Sequence, residues 1–280
     1  MRIGCQISIA KGLDKSAEMA HEIKANCFQF FTRNPRGGAA RVIPSTEATM
    51  WSSRRQEADI YPIVGHLPYT VNLASPKPET YQFATETIAA DLTRMDQIGA
   101  EYLVVHPGSR SKLTVDEGIA RVAGALETGF MPFAGNTMLL LESMSGQSGE
   151  VGSIEEIGAV IKCLGSPKGL GLCIDTCHLF AAGYNFRQLD EVERMVCDID
   201  KHVGLERLKC VHINDSKFGP GQHKDRHELV GLGHIGREGL VHVLAHPLLR
   251  SLPFVLETPV EDYQGYSREI ARLRAWLEER

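Results

Sequence analysis

The chain has 280 residues, 43% of them hydrophobic and 23% charged, with a formal net charge of −5. That length suits one α/β barrel, and the hydrophobic share is enough for a large core. The acidity excludes a global basic field for nucleic acid, and no apolar run is long enough to be a membrane span. Residues 1–5 read directly as a strand with no secretory signal, so a cytoplasmic location is expected. The seven scattered cysteines form no C-x-x-C pair and are expected to be reduced, with Cys5, Cys27, Cys173 and Cys210 in strand-like apolar runs.

In chain order, strands are predicted over 2–8, 27–31, 61–65, 102–105, 138–141, 171–174, 208–213 and 254–256. Several are apolar at consecutive positions, as parallel strands buried on both faces are. Amphipathic helical patterns lie over 84–98, 115–127, 154–164, 189–203, 239–245 and 267–277. Eight β-then-α units point to an α/β fold, a single (β/α)8 TIM barrel, with residues 1–280 as one catalytic domain. An open doubly wound sheet is the alternative.

Six successive strands end in a metal-ligating residue type: His66, His106, Glu142, Asp175, His212 and Glu257. Barrel enzymes place their chemistry on that face. His178 follows Asp175 by three residues, and Asp225 and His227 lie two apart in a polar loop, a spacing that points both the same way on an extended segment. The tally is five histidines and four carboxylates. A catalytic zinc takes about three protein ligands, so nine suffice for three ions, especially with a bridging carboxylate. Imidazole and carboxylate without thiolate suits Zn²⁺, Mn²⁺ or Fe²⁺. Such a cluster suits phosphate-ester hydrolysis.

The run Cys173-Ile174-Asp175-Thr176-Cys177-His178, then Phe180-Ala181-Ala182-Gly183-Tyr184, His212-Ile213-Asn214-Asp215-Ser216-Lys217 and Asp225-Arg226-His227-Glu228 resembles the endonuclease IV family of apurinic/apyrimidinic endonucleases. His106-Pro107-Gly108-Ser109 and Glu257-Thr258-Pro259 belong to the same pattern, and the resemblance runs from Arg2 to about Leu277. It implies three Zn²⁺ ions, with Mn²⁺ or Fe²⁺ admissible at one site. His66, His106 and Glu142 look like the ligands of one ion. Glu142, Asp175, His212 and Glu257 look like those of a second, with Glu142 bridging. His178, Asp225 and His227 look like those of the third. Glu142, Asp175 and Glu257 are the candidate catalytic carboxylates.

The implied partner is double-stranded DNA containing abasic sites, cut on the 5′ side to leave a 3′-hydroxyl and a 5′-deoxyribose phosphate in base excision repair, with removal of 3′-blocking groups as a companion activity. A monomer is expected, with no membrane. Arg36, Tyr69, Asn72, Lys217 and Arg226 are the candidate DNA contacts, with His223 and Lys224 in the same basic loop. The chain departs from the family at Gln6, often histidine there, and at Gly38, Thr70 and Ser143.

Gly231-Leu232-Gly233-His234-Ile235-Gly236 matches a dinucleotide-binding pattern but lacks the preceding strand and the later acidic residue, and is read as a tight loop near the site. His242 and His246, one helical turn apart, are read as helix surface. The competing functions are a single-metal sugar isomerase or epimerase on a related barrel, and a metal-dependent DNA-binding protein without catalysis. The first would leave His66, His106, His178, Asp225 and His227 without a role.

Overall fold

A parallel strand needs a crossover to return to its neighbour, and an amphipathic helix is the usual one. The computed structural model describes residues 1–34 and 40–279 and follows this rule from end to end. In chain order come β1 (Arg2–Gln6), α1 (Leu13–Glu22), β2 (Phe28–Phe31), α2 (Ser45–Glu57), β3 (Ile63–His66), α3 (Pro78–Gln97), β4 (Tyr102–Val105), α4 (Val115–Gly129), β5 (Met138–Glu142), α5 (Ile154–Cys163) and β6 (Leu170–Asp175). Then follow α6 (Thr176–Ala182), α7 (Leu189–His202), β7 (Leu208–His212), β8 (Asp215–Ser216), β9 (His227–Glu228), α8 (Gly236–Ala245), β10 (Pro253–Leu256) and α9 (Tyr263–Glu278).

Eight of these strands close a parallel barrel in the order β1-β10-β7-β6-β5-β4-β3-β2, and β8 pairs antiparallel with β9 in a separate ribbon. The barrel excludes the open sheet. All eight predicted strands are present, with ends shifted by one or two residues. The predicted helices start and end within a few residues of α3, α4, α5, α7, α8 and α9. Helix starts are fixed locally at Thr114 and Ser153, each exchanging capping bonds with a glutamate three residues on, Glu117 and Glu156.

The core has two parts. A sheath between strands and helices carries most of the buried apolar residues, among them Phe28, Trp51, Phe180 and Phe254. Inside the barrel, Val64, Val104, Leu140, Cys173, Cys210 and Val255 form a separate cluster, all fully buried. All seven cysteines are free, and five of them are buried. No described helix is long and apolar enough to cross a membrane.

His246 corrects the helix-surface reading. It caps the end of α8, is buried, and sets its Nε2 3.2 Å from Glu193 Oε1 on α7, while His242 Nδ1 donates to the Phe186 carbonyl at 2.9 Å. His246 thus packs in the seam between α7 and α8, while His242 is half-buried.

Gly4 marks the tightest approach between barrel strands, because a Cβ there would overlap the Cys27 carbonyl. Gly4→Ala is therefore expected to lower the unfolding free energy by about 1–3 kcal/mol or more, the usual cost of overpacking. Urea titration measures this, and an unchanged midpoint would mean the β1–β2 seam opens freely.

Candidate metal centre

Side chains alternate between the two faces of a strand, so residues two apart share a side. Each member of the inner cluster lies two residues before a predicted ligand: Val64 before His66, Val104 before His106, Leu140 before Glu142, Cys173 before Asp175, Cys210 before His212 and Val255 before Glu257. The ligand types thus form the next layer up inside the barrel, at the C-terminal ends of the strands.

Glu142 lies at the middle of that layer and is fully buried. Its Oε2 is 3.0 Å from His66 Nε2 and 3.2 Å from His106 Nε2. Its Oε1 is 3.2 Å from His212 Nδ1 and 3.3 Å from His178 Nδ1. Glu257 Oε2 is also 3.2 Å from His212 Nδ1. Asp175 divides its two oxygens between local structure and the site. Oδ1 caps α6 by accepting from the His178 amide at 2.9 Å, while Oδ2 is 3.7 Å from His227 Nε2 and 3.9 Å from His212 Nδ1.

The β8–β9 ribbon brings in the remaining pair. Asp225 lies 3.3 Å from His178 Nε2 and 3.4 Å from His227 Nε2. All nine predicted ligands therefore converge on one cleft of about 240 Å³, whose lining includes His66, His106, His178, Asp225, His227 and Glu257.

The imidazole hydrogen bonds test whether cations fit here. His66 Nδ1 faces the Leu67 carbonyl at 2.6 Å, His178 Nδ1 the Ser143 carbonyl at 2.8 Å, and His227 Nδ1 the Glu257 carbonyl at 3.2 Å. A carbonyl only accepts, so each Nδ1 carries a proton and donates. In the neutral ring, Nε2 is then a lone pair, and in all three it faces a carboxylate. His178 Nε2 and His227 Nε2 are buried without a hydrogen-bond partner. Lone pairs turned on carboxylate oxygens need a positive charge between them, and divalent cations meet that need. The ligand atoms of His66, His106 and Glu142 lie within 4.8 Å of one another, as do those of His178, Asp225 and His227.

Protons are the competing charge. Burial alone would push His178 down, but Asp175, Asp225 and Glu142 outweigh it and raise it well above the usual histidine range. Burial of His212 is outweighed in the same way by Glu257 and Glu142. Burial would raise Glu142, yet His212, His106 and His178 hold it well below the carboxylate range, and His178 and His227 likewise hold Asp225 low.

Several positioning side chains carry no signal in the sequence as ligands. Buried Asn214 donates Nδ2 to Asp175 Oδ2 at 2.6 Å and accepts the Glu257 amide on Oδ1 at 2.8 Å. Ser143 Oγ accepts the Asp175 amide at 3.0 Å. Gln29, on β2, contacts both His212 and Glu257. The available clue was a polar residue inside an apolar strand, Phe28-Gln29-Phe30.

The G-x-G-x-x-G loop is occupied from within the chain. Fully buried Asp215 accepts the amides of Gly231, Gly233, Ile235 and Gly236 at 2.9 to 3.3 Å, so an internal carboxylate fills the cradle instead of a phosphate.

Of the candidate DNA contacts, Tyr69 is 59% exposed at the cleft, and Lys217 and Arg226 are exposed on the ribbon. Asn72 has both ends of its amide engaged in the protein, with Nδ2 on the Ser109 carbonyl at 3.0 Å and Oδ1 on the Ala74 amide at 3.0 Å. A Cβ at Gly108 would overlap that side chain, and φ there is +97°, so the His106 loop requires glycine. Arg36 and Gly38 lie outside the described residues.

Comparison with known proteins decides the family. A family model described as "Xylose isomerase-like TIM barrel" matches residues 17–280. A protein of Moorella thermoacetica named "Probable endonuclease 4" is 44% identical over 275 residues, covering 98% of each chain. The chain belongs to the endonuclease IV family. It is accordingly a nuclease, a hydrolase. The crystal structure of endonuclease IV from Thermus thermophilus matches with a TM-score of 0.87 at 32% identity, covering 100% of both chains. A D-tagatose 3-epimerase-like protein matches with a TM-score of 0.71 at 19% identity, which is a likeness of fold alone.

The opposed shifts give a pH dependence. In chelator-treated protein, the raised imidazoles stabilise the fold fully below their ordinary value of 6.5 and cease to do so as pH rises through the raised values. Glu142, held low, stabilises it above 4.5 and ceases to do so as pH falls. Metal-free protein is thus expected to be most stable between about pH 4.5 and 6.5 and to weaken above that window. Cation binding needs the imidazoles neutral, with one nitrogen unprotonated, and runs the other way. The Tm gain on adding Zn²⁺ should grow from about pH 5.5 to about pH 8. A gain that is flat or falls would remove the histidines from the metal centre.

Proposed function

We propose that this chain is a zinc-dependent DNA-repair endonuclease. It hydrolyses the phosphodiester 5′ to an abasic site in duplex DNA, leaving a 3′-hydroxyl and a 5′-deoxyribose phosphate, and it also removes 3′-blocking groups. The observation that carries this reading is the arrangement of His66, His178 and His227, each with Nδ1 donating to a backbone carbonyl and Nε2 turned on a carboxylate, in a chain of the endonuclease IV family.

His66, His106 and Glu142 would hold one Zn²⁺; Glu142, Asp175, His212 and Glu257 a second; and His178, Asp225 and His227 a third, with Mn²⁺ or Fe²⁺ admissible at one site. Support for Glu142 as the shared ligand comes from its two oxygens, Oε2 facing His66 and His106 and Oε1 facing His212. Bound at such positions, divalent ions supply a water nucleophile near neutral pH and offset charge on the phosphate and leaving oxygen.

The chain's own residues do the rest. Glu142, Asp175 and Glu257 fix the distance between the ligand sets. Tyr69 at the cleft rim and Arg36 support the distorted strand. Lys217 and Arg226 meet phosphates, and Asn72 acts through the rim it braces. An abasic nucleotide has no base to unpair or unstack, so drawing it into a rigid cleft costs less than extracting an intact one. One chain, acting as a single catalytic domain over 1–280, supplies every group named, so a monomer suffices. A sugar isomerase with one ion and about four ligands would leave five of the nine residues unused.

Metal analysis of purified protein is expected to give about three zinc equivalents. One Mg²⁺ or Mn²⁺ with no cleavage of abasic duplex would instead favour the isomerase. Glu142→Ala should abolish incision of an end-labelled duplex carrying one abasic site, and cleavage at the wild-type rate would end the bridging assignment.

A further inference from the structure

We infer that Gln29, oriented by Gln6, is a positioning residue that fixes which nitrogen of His212 is offered to a metal ion and which oxygen of Glu257 turns toward it. This rests on the three-ion reading above.

Gln29 is fully buried in β2 between Phe28 and Phe30, and it pairs in register with Gln6 of β1. Its Oε1 is 2.8 Å from His212 Nε2. Its Nε2 is 2.6 Å from Glu257 Oε1 and 3.0 Å from Gln6 Oε1. Only one amide orientation satisfies these contacts. Reversed, it would set oxygen against the Glu257 carboxylate and the Gln6 carbonyl, two acceptors facing a third. As placed, both amide protons meet an acceptor and the oxygen accepts the His212 proton.

Two consequences follow for the site. His212 keeps its proton on Nε2, so Nδ1 is the lone pair turned to Glu142 and Glu257, each at 3.2 Å. His66, His178 and His227 use the opposite arrangement, with the proton on Nδ1. Glu257 has Oε1 held by Gln29, which leaves Oε2 to face His212. The choice of glutamine is also explained. A glutamate could accept from His212, but it would set a second carboxylate against Glu257 in a buried place. Gln6, half-buried at the end of β1, takes the second amide proton, which would otherwise be left buried and unpaired.

The test is zinc competition with a chromophoric chelator, on wild-type protein, Gln29→Met, Gln29→Glu and Gln6→Leu. Removing a partner of this kind typically costs 10–100-fold in metal affinity. Gln29→Met should weaken one of the three ions by about that factor and leave the other two as in wild type. Gln29→Glu should not rescue it, and Gln6→Leu should show a smaller loss at the same ion. Ring ¹⁵N NMR of zinc-loaded protein should show His212 protonated on Nε2. Circular dichroism and the Tm in chelator verify folding, and Gln6→Leu carries the test if Gln29→Met does not fold. Three ions held at wild-type affinity in these variants, or His212 protonated on Nδ1, would overturn the inference alone. A wild-type chain binding fewer than three ions would overturn the functional reading and this inference with it.

Discussion

A carboxylate enclosed in a protein interior stays charged only if positive charge surrounds it, and Glu142 is enclosed completely. Four imidazoles approach its two oxygens within 3.0 to 3.3 Å, from β3, the end of β4, α6 and β7. Those elements are therefore held in register by one anion. The same anion sets the competition between protons and cations for the centre, since either can supply the charge that Glu142 requires. Rigidity follows as well: one nitrogen each of His66, His178, His212 and His227 donates to a protein carbonyl oxygen, so these four rings have little freedom to turn.

Beneath this layer the barrel is plain. Six small or branched apolar side chains fill it, each one strand-repeat below a ligand. The dry floor removes water from one side of the site, which strengthens every electrostatic interaction above it. The upper side opens into the cleft beside Gln6, Phe31 and Tyr69. A second cavity, of about 610 Å³, shares Gln6 and Phe31 as walls and lies toward β1 and β2.

Much of this is legible in the sequence alone. Strands show themselves by consecutive apolar positions, which mark burial on both faces, and the candidate ligands by falling at strand ends. The helices left unpredicted lack a matching signal. α1 buries Leu13, Ser16, Ala17 and Ala20 at helical spacing, but three of the four are small or polar and stand out little in the sequence, and α2 buries only Ala48 and Trp51. The seven-residue α6 is too short and too evenly buried to display one. Gln29, Ser143 and Asn214 are illegible as site residues for another reason: an amide or hydroxyl bonds to whatever the fold brings near, and sequence spacing does not say what that is. The glycine motif misleads in the same way. Its amides bind an anion as the pattern suggests, but the anion is Asp215 of the same chain. The Gln29 contact also relates the departure at Gln6 to a cause the sequence could not show, since the partner of Gln6 is Gln29 and not a metal-binding group.

The spread of the ligands along the chain has a bearing on biosynthesis. Gln29 and Glu257 touch across 228 residues, and β10, which brings Glu257, is the last strand to be made and the one that seals β7 against β1. Chains emerge from the ribosome N-terminus first. A nascent chain that has reached β5 already carries His66, His106 and Glu142, while Asp175, His178, His212, Asp225, His227 and Glu257 follow in the C-terminal half. Convergence of the nine side chains is thus tied to the closing of the barrel, which depends on contacts between distant parts of the chain. The cluster around Glu142 is therefore assembled only once β10 has been made and the barrel has shut.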